Sequence, residues 1–170
     1  MIHASQESLR PMVRTDLEQV LMWRNHPEVR RFMYTQHEIT LEEHASWFAK
    51  ASQDDKRHLL IFELDGVAIG FISIHESGVG GVADWGFYAS PDAPKGSGKL
   101  LGQAALAYAF LQVGLHKLCG QVLEYNERSI RFHERLGFRR EGVLRQHHFD
   151  GRLYHDVICL GLLFSEWQGA

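Results

Sequence analysis

Strand-like and helix-like stretches of hydrophobic patterning follow one another along the chain, separated by turn residues. His58–Leu64 and Val67–Ser73 flank Asp65-Gly66, a dipeptide that favours a two-residue hairpin turn, so they predict paired antiparallel strands. Val82–Ala89 alternates less cleanly, around Trp85, Phe87 and Tyr88, and predicts a strand that stops before Pro91. Lys99–Val113 is helix-forming and mostly apolar, which predicts a largely buried helix. Lys117–Leu123 predicts a strand, and Glu127–Leu136 a helix closed by Gly137 in a left-handed cap. Arg139–His148 and Leu153–Leu163 predict a final hairpin around Asp150-Gly151.

Upstream, Thr15-Asp16-Leu17-Glu18 has the form of a capping box, in which Thr15 and Glu18 reciprocally satisfy free N–H groups, and predicts a helix to about Arg24. Asn25-His26-Pro27 breaks it, because proline cannot continue the hydrogen-bond ladder, and a short second helix is expected through Phe32. Thr40-Leu41-Glu42-Glu43 repeats the capping pattern before a helix whose inner face carries His44, Trp47 and Phe48. A strand, helices, three strands, helix, strand, helix and two strands predict an α/β (α+β) layered domain. Its central sheet is expected to be mixed, mostly antiparallel and flanked by helices. With 170 residues and no internal repeat or linker, residues 1–170 are expected to form one domain.

Composition narrows the function classes. At 45% hydrophobic and 23% charged residues the chain is ordinary for a globular protein. A formal net charge of −3, with basic residues scattered, argues against nucleic acid as a partner. The N-terminal stretch from Met1 to Met12 lacks the apolar core of a signal peptide, and no 18-residue apolar run suits a membrane span. Cys119 and Cys159 sit in strand-like runs and read as reduced core residues, so a cytoplasmic protein is expected. Eleven histidines raise a metal site, but neither His-Glu-x-x-His nor Cys-x-x-Cys spacing occurs. His147 and His148, as strand neighbours, point to opposite faces, so no metal is expected.

The chemistry concentrates in Pro94-Lys95-Gly96-Ser97-Gly98-Lys99-Leu100-Leu101, between a strand and a long helix. Small residues there let the backbone approach an anion, the first N–H groups of a helix are unpaired, and the helix dipole favours negative charge. Lys95 and Lys99 add full charges, which suits a diphosphate; the alternative is a plain turn. The spacing is neither that of a Walker loop nor GxGxxG.

One strand later stands Asn126-Glu127-Arg128-Ser129-Ile130-Arg131-Phe132-His133-Glu134-Arg135-Leu136-Gly137-Phe138, with Asn126 placed to cap a helix. Loop and segment together resemble the GCN5-related N-acetyltransferase (GNAT) superfamily over nearly the whole chain. That resemblance implies the GNAT fold and acetyl-coenzyme A as co-substrate. It implies cofactor contacts from Phe87, Tyr88, Ala89, Lys95, Gly96, Ser97, Gly98, Lys99, Asn126, Ser129 and His133. Ala93 departs from the pattern, standing where an Arg or Gln usually begins the loop. His133 stands where a Tyr usually protonates the leaving thiolate; an imidazolium is a reasonable acid there, and the alternative is a residue merely packed beside the cofactor. Ser73, Tyr88 and Glu124 would lie near the acetyl group and relay the amine proton, with Glu124 the eventual acceptor and Asp84 and His75 as alternatives. Attack is expected to be direct, without a covalent enzyme intermediate.

Trp23-Arg24-Asn25-His26-Pro27-Glu28-Val29-Arg30-Arg31-Phe32-Met33-Tyr34 and Ile39-Thr40-x-x-Glu43-His44 are similar to one subgroup, the N-acetyltransferases of pseudaminic acid biosynthesis. These act on a UDP-linked 4-amino-4,6-dideoxy sugar. Arg24 and His44 would then pair with a diphosphate, and Met33, Tyr34 and Phe48 would sandwich a uracil and its ribose. Other expectations are an acceptor that is a protein N-terminus or a small amine, and, from another class, a non-catalytic acyl-coenzyme A sensor. The superfamily also makes a homodimer through C-terminal strands an expectation.

Overall fold

The computed structural model describes residues 5–169; Met1–Ala4, part of the stretch read above for a signal peptide, lie outside the described residues. The strands are β1 (Glu7–Pro11), β2 (Arg57–Leu64), β3 (Val67–Glu76), β4 (Val82–Ala89), β5 (Lys117–Leu123), β6 (Arg139–Phe149) and β7 (Tyr154–Leu163). They form one 7-stranded sheet in the order β1-β2-β3-β4-β5-β7-β6. Neighbours are antiparallel except β4 and β5, which run parallel. The helices are α1 (Leu17–Asn25), α2 (Pro27–Arg30), α3 (Leu41–Ala51), α4 (Ser97–Ala107) and α5 (Glu127–Arg135).

Local chemistry explains most of these boundaries. Asp65 and Gly66, with φ of 51° and 78°, both adopt the left-handed backbone that a two-residue turn between twisted strands requires. Thr40 and Glu43 form the expected capping box: Thr40 Oγ1 accepts from Glu43 N (3.1 Å) and Glu43 Oε2 from Thr40 N (2.7 Å). His26 caps α2 by accepting from Glu28 N, and α2 ends at Arg30 rather than running to Phe32.

The box expected at Thr15 and Glu18 does not form. Residues Arg14–Asp16 make a single 3-10 turn, and Asp16 closes it by accepting from Val13 N. Arg10 holds that carboxylate with two guanidinium nitrogens, at 2.8 and 2.9 Å, so a partly buried ion pair to β1 replaces the hydroxyl cap. The helix predicted through Val113 loosens into a π-helical turn over Tyr108–Val113.

Alternation along the strands gives the sheet two differently covered faces. Ile72, Ile74, Trp85, Leu118, Val122 and Leu160 pack with Leu101, Ala105 and Ile130 beneath α4 and α5. Leu59, Ile61 and Phe71 pack with Leu17, Val20, Trp23 and Ala51 beneath α1 and α3. The helices of the first face meet closely at Gly102, where a Cβ would fall 2.8 Å from both Phe132 and Leu136. That contact packs the middle of α4 against the C-terminal half of α5.

Candidate active site

The parallel β4–β5 ladder is short. It pairs Val82 with Lys117, Ala83 with Leu118 and Asp84 with Cys119, and there it stops, although β4 runs on to Ala89 and β5 to Leu123. On its other side β4 stays paired with β3 up to Ala89. Backbone groups of Trp85–Ala89 that face β5 therefore lack a ladder partner and open a wedge-shaped slot. An extended amide-containing chain entering it would find unpaired N–H and C=O groups to bind.

The predicted anion loop lies at the α4 end of this slot. Gly96 has φ 92° and occupies the N-cap of α4, a backbone state open to glycine at little cost. The N–H groups of Gly96 and Gly98 have no backbone acceptor, and Lys95 and Lys99 join no ion pair among the described residues. Two free N–H groups, a helix N-terminus and two free ammonium groups fit a diphosphate. Ser97 departs from the expected role: it is buried, and both its N–H and its Oγ turn back to the Pro94 carbonyl. Asn126 Oδ1 accepts from Ser129 N at 3.2 Å, capping α5, so these side chains first serve the helix start.

His133 is placed otherwise than an acid at the slot should be. Its ring is 3% exposed and points into the core. Nδ1–H donates to the Ser129 carbonyl at 2.7 Å, and Nε2 accepts from Trp85 Nε1–H at 3.2 Å. Burial pushes its pKa below the ordinary histidine value, with the Ser129 carbonyl opposing weakly. Both nitrogens are occupied and the neutral form is favoured, so a thiolate acid at this position is not what the fold provides.

The other face of the sheet carries the remaining candidates. Ser73, opposite Gly86, and Tyr88, opposite Phe71, face α1 and α3 from the β3–β4 side of the slot. Burial holds the Tyr88 phenol well above its usual range, the nearby Arg24 charge pulling it partly back. Arg24 has no carboxylate partner among the described residues. Its Nη2 donates to the Thr35 carbonyl at 3.1 Å, and its buried Nη1 has no acceptor. Burial lowers its pKa first, with Arg30 adding and Tyr88 opposing. His44, 4% exposed and stacked on Trp47, has a buried Nε2 that also lacks a partner. Burial, and then the Arg24 charge, lower its pKa against a backbone contact to Leu17.

Across the slot, Tyr34 O–H donates to Gln121 Oε1 at 2.8 Å, and its ring leans on His148. Tyr125 O–H donates to the Arg31 carbonyl, tying the segment after α2 to the end of β5. Met33 belongs to this strap, its carbonyl accepting from Gln36 Nε2. Phe48 does not join it. It lines a separate cavity of about 240 Å³ with Met12, Arg57, His58 and Tyr108, so the expected Met33–Tyr34–Phe48 sandwich is not assembled.

Glu124 is also drawn away from the expected relay. Its Oε1 accepts from Asp156 N at 3.2 Å and lies 3.4 Å from His155 Nδ1, while His155 Nε2 lies 2.7 Å from Asp150. Glu124 thus sits at the C-terminal end of β5, engaged with Asp156 and His155 rather than with Ser73 or Tyr88. His75 and Asp84, the alternatives, face the same side as Ser73, and His75 lies 3.6 Å from Asp54.

Trp85 and Gly120 at the head of the slot and Gln121 on its flank were not singled out as site residues from sequence, and His155, weighed there only as a metal ligand, instead pairs with Asp150 and Glu124. The one hint was the weak alternation of Val82–Ala89, where an aromatic run marks a strand with partners on both faces. No group of three His, Cys, Asp or Glu residues able to hold a metal occurs among the described residues. No helix among them is long and apolar enough to cross a membrane.

Comparison with known proteins adds relatives to this geometry. Residues 8–139 match the family described as an acetyltransferase (GNAT) domain. Acetyltransferase PseH of Campylobacter jejuni is 29% identical over 126 residues, covering 72% of this chain and 76% of that protein. Spermidine N(1)-acetyltransferase of Vibrio cholerae is 25% identical over 166 residues, 96% of each chain. The crystal structure of Vibrio cholerae spermidine N-acetyltransferase in complex with CoA and spermine aligns with a TM-score of 0.87 at 24% identity. It covers 95% of this chain and 97% of that one, a likeness of fold.

Proposed function

The chain belongs to the GNAT acetyltransferase family and is an acetyl-coenzyme A-dependent N-acetyltransferase, and from that premise we propose that its acceptor is the 4-amino group of a UDP-linked 4-amino-4,6-dideoxy sugar. The observation that carries this reading is the pair of orphaned buried nitrogens, Arg24 Nη1 and His44 Nε2, on the acceptor side of the sheet. A buried cation without a counter-ion is costly and attracts an anion. A nucleoside diphosphate supplies one, its oxygens taking over from the Thr35 carbonyl, whereas a polyamine would be repelled. Relationship to PseH, joined to the Arg24–Tyr34 resemblance noted above, points the same way.

In this reading the diphosphate of coenzyme A rests on Gly96, Gly98, Lys95 and Lys99, and its amide arm lies along Phe87–Ala89. The neutral amine approaches from the Tyr88 and Ser73 side and attacks the thioester carbonyl. The C–N bond forms, the C–S bond breaks, and the proton lost by the amine passes through water at Ser73 and Tyr88 to the departing coenzyme A thiolate, which leaves as the free thiol. A cytoplasmic setting suits both nucleotide substrates.

A second reading, a small polyamine as acceptor, is favoured by the 25% identity to a spermidine acetyltransferase over 96% of the chain. Against it, the carboxylates at the end of β5 and on the β6–β7 hairpin that could attract a polyamine are already engaged. Glu124 and Asp150 hold His155, and Asp156 Oδ1 accepts from Gln146 N. Thermal-shift measurements with UDP, coenzyme A and spermidine separate the readings. Stabilisation by UDP, and thiol release with UDP-amino sugars but not polyamines, is expected. A response to spermidine without one to UDP would overturn the proposal, and tight coenzyme A binding without turnover on any amine would indicate a sensor.

A further inference from the structure

We infer that His133 acts in acetyl transfer as a positioning residue, a neutral imidazole that holds the Trp85 indole at the head of the β4–β5 slot and gives no proton to the leaving sulfur. The inference rests on the acetyl-transfer reading of the same site. Trp85 is the first residue beyond the last ladder pair, Asp84 with Cys119, so its placement sets where the slot closes. The indole stacks on Phe138 at 5.6 Å and 7° between planes, and meets the His133 ring edge-on at 5.4 Å. The hydrogen bond from Trp85 Nε1–H to His133 Nε2 fixes the one remaining freedom, rotation of the indole in its own plane.

The same bond excludes the acid role. A proton on Nε2 would point at the Trp85 N–H, leaving two donors face to face in the core. Nδ1–H is already given to the Ser129 carbonyl, which sets the tautomer. The elements packed on the ring present Trp85 and Phe87 from β4, Gly120 from β5, Phe132 from α5 and Phe138 beyond it, none of which titrates. No carboxylate among the described residues lies within ion-pair distance of the ring to sustain an imidazolium. Gly120 completes the fit, since a Cβ there would fall 2.7 Å from His133 Nε2 and 3.2 Å from Trp85 Nε1.

Two variants and one spectrum test this. His133→Gln keeps an acceptor where Nε2 stands but cannot titrate, and His133→Phe keeps the ring and loses the acceptor. In thiol-release assays at saturating acetyl-coenzyme A, the Gln variant should keep kcat within about threefold of wild type, with an unchanged pH profile. The Phe variant, which orphans the buried Trp85 N–H, should lose about tenfold in kcat with the profile again unchanged. Nitrogen NMR of the wild-type protein should show a single Nδ1–H tautomer whose titration is displaced below that of an ordinary histidine. A loss of about 100-fold or more in the Gln variant, with disappearance of an alkaline limb, would restore the acid role and overturn the inference. So would a titration assigned to His133 at or above the ordinary histidine value. A Phe variant with lowered Tm but wild-type kcat would overturn positioning in favour of a purely structural role. The spectrum needs no acceptor, so a failure of acetyl transfer with every amine would be read separately, as a failure of the functional proposal.

Discussion

Replacing Arg24 by Met sets stability against binding at one side chain. The guanidinium gives one hydrogen bond, to the Thr35 carbonyl, and leaves Nη1 buried and unpaired. Losing a hydrogen bond to a charged group costs about 1.5–3 kcal/mol, and relieving an unsatisfied buried polar group returns about 1–3 kcal/mol. The two nearly cancel, and Met fills the space of the aliphatic stem with an adaptable apolar chain. The free protein should therefore keep its stability to within about 1 kcal/mol, a Tm change of no more than about 2–4 °C in a chain of this size.

Ligand binding should respond very differently. A charge-assisted bond to a phosphate oxygen is worth about 1.5–3 kcal/mol, so affinity for UDP or a UDP-amino sugar should drop by about 10- to 100-fold. Calorimetry with UDP and with acetyl-coenzyme A measures both arms, and acetyl-coenzyme A should bind unchanged. A Tm fall of more than about 6 °C, or an equal loss of affinity for the two ligands, would refute the reasoning. Arg24 would then be a strut for the segment after α2 and not a substrate contact.

Changing Lys95 and Lys99 together to Ala should raise KM for acetyl-coenzyme A by about tenfold at low salt, the effect shrinking as salt rises, because neither ammonium has an ion-pair partner among the described residues; a salt-independent KM would remove them from the diphosphate site. Gly120→Ala should destabilise the fold by about 1–3 kcal/mol, read as a fall in Tm, because its Cβ would fall 2.7 Å from His133 Nε2. Asp150 raises the His155 pKa, with Glu124 adding a smaller contribution, so His155 contributes stability below about pH 6.5 that is lost as pH rises through the raised value. Asp150, lowered chiefly by the Leu153 N–H and by His155, contributes above about pH 4 and loses its share as pH falls. His155→Gln should therefore flatten the stability profile between about pH 6 and 8, and an unaltered profile in chemical denaturation would show the pair to be idle.

What was legible in the sequence were the features whose cause is local. The Asp65-Gly66 turn and the Thr40–Glu43 box each need only a few neighbouring residues, and both formed as expected. Thr15–Glu18 has the same local form and failed, because Arg10 on β1 reaches Asp16 from outside the segment and reorganises the turn. The site divides in the same way. The expectation of an anion cradle from Pro94 to Leu101 needs only one short stretch, and the free Gly96 and Gly98 N–H groups are compatible with it while Ser97 turns back to Pro94. The roles expected of His133, Glu124 and Phe48 depended on where Trp85, His155 and Met12 would lie, contacts set by strand order and helix packing.

The wedge between β4 and β5 explains why those misplacements leave the overall reaction standing. Its edges are backbone, so they need no particular side chain, and its length follows from where the Val82–Asp84 ladder ends. In the proposed reading the cofactor lies with α4 and α5, which cover one face of the sheet, and the acceptor lies on the other face, covered by α1 and α3. Side chains on the α1 and α3 face can then change without disturbing the Gly102 contact between α4 and α5. The acceptor must be judged from charge on the α1 to α3 side alone, and there the unpaired Arg24 is the feature that separates an anionic nucleotide from a cationic polyamine.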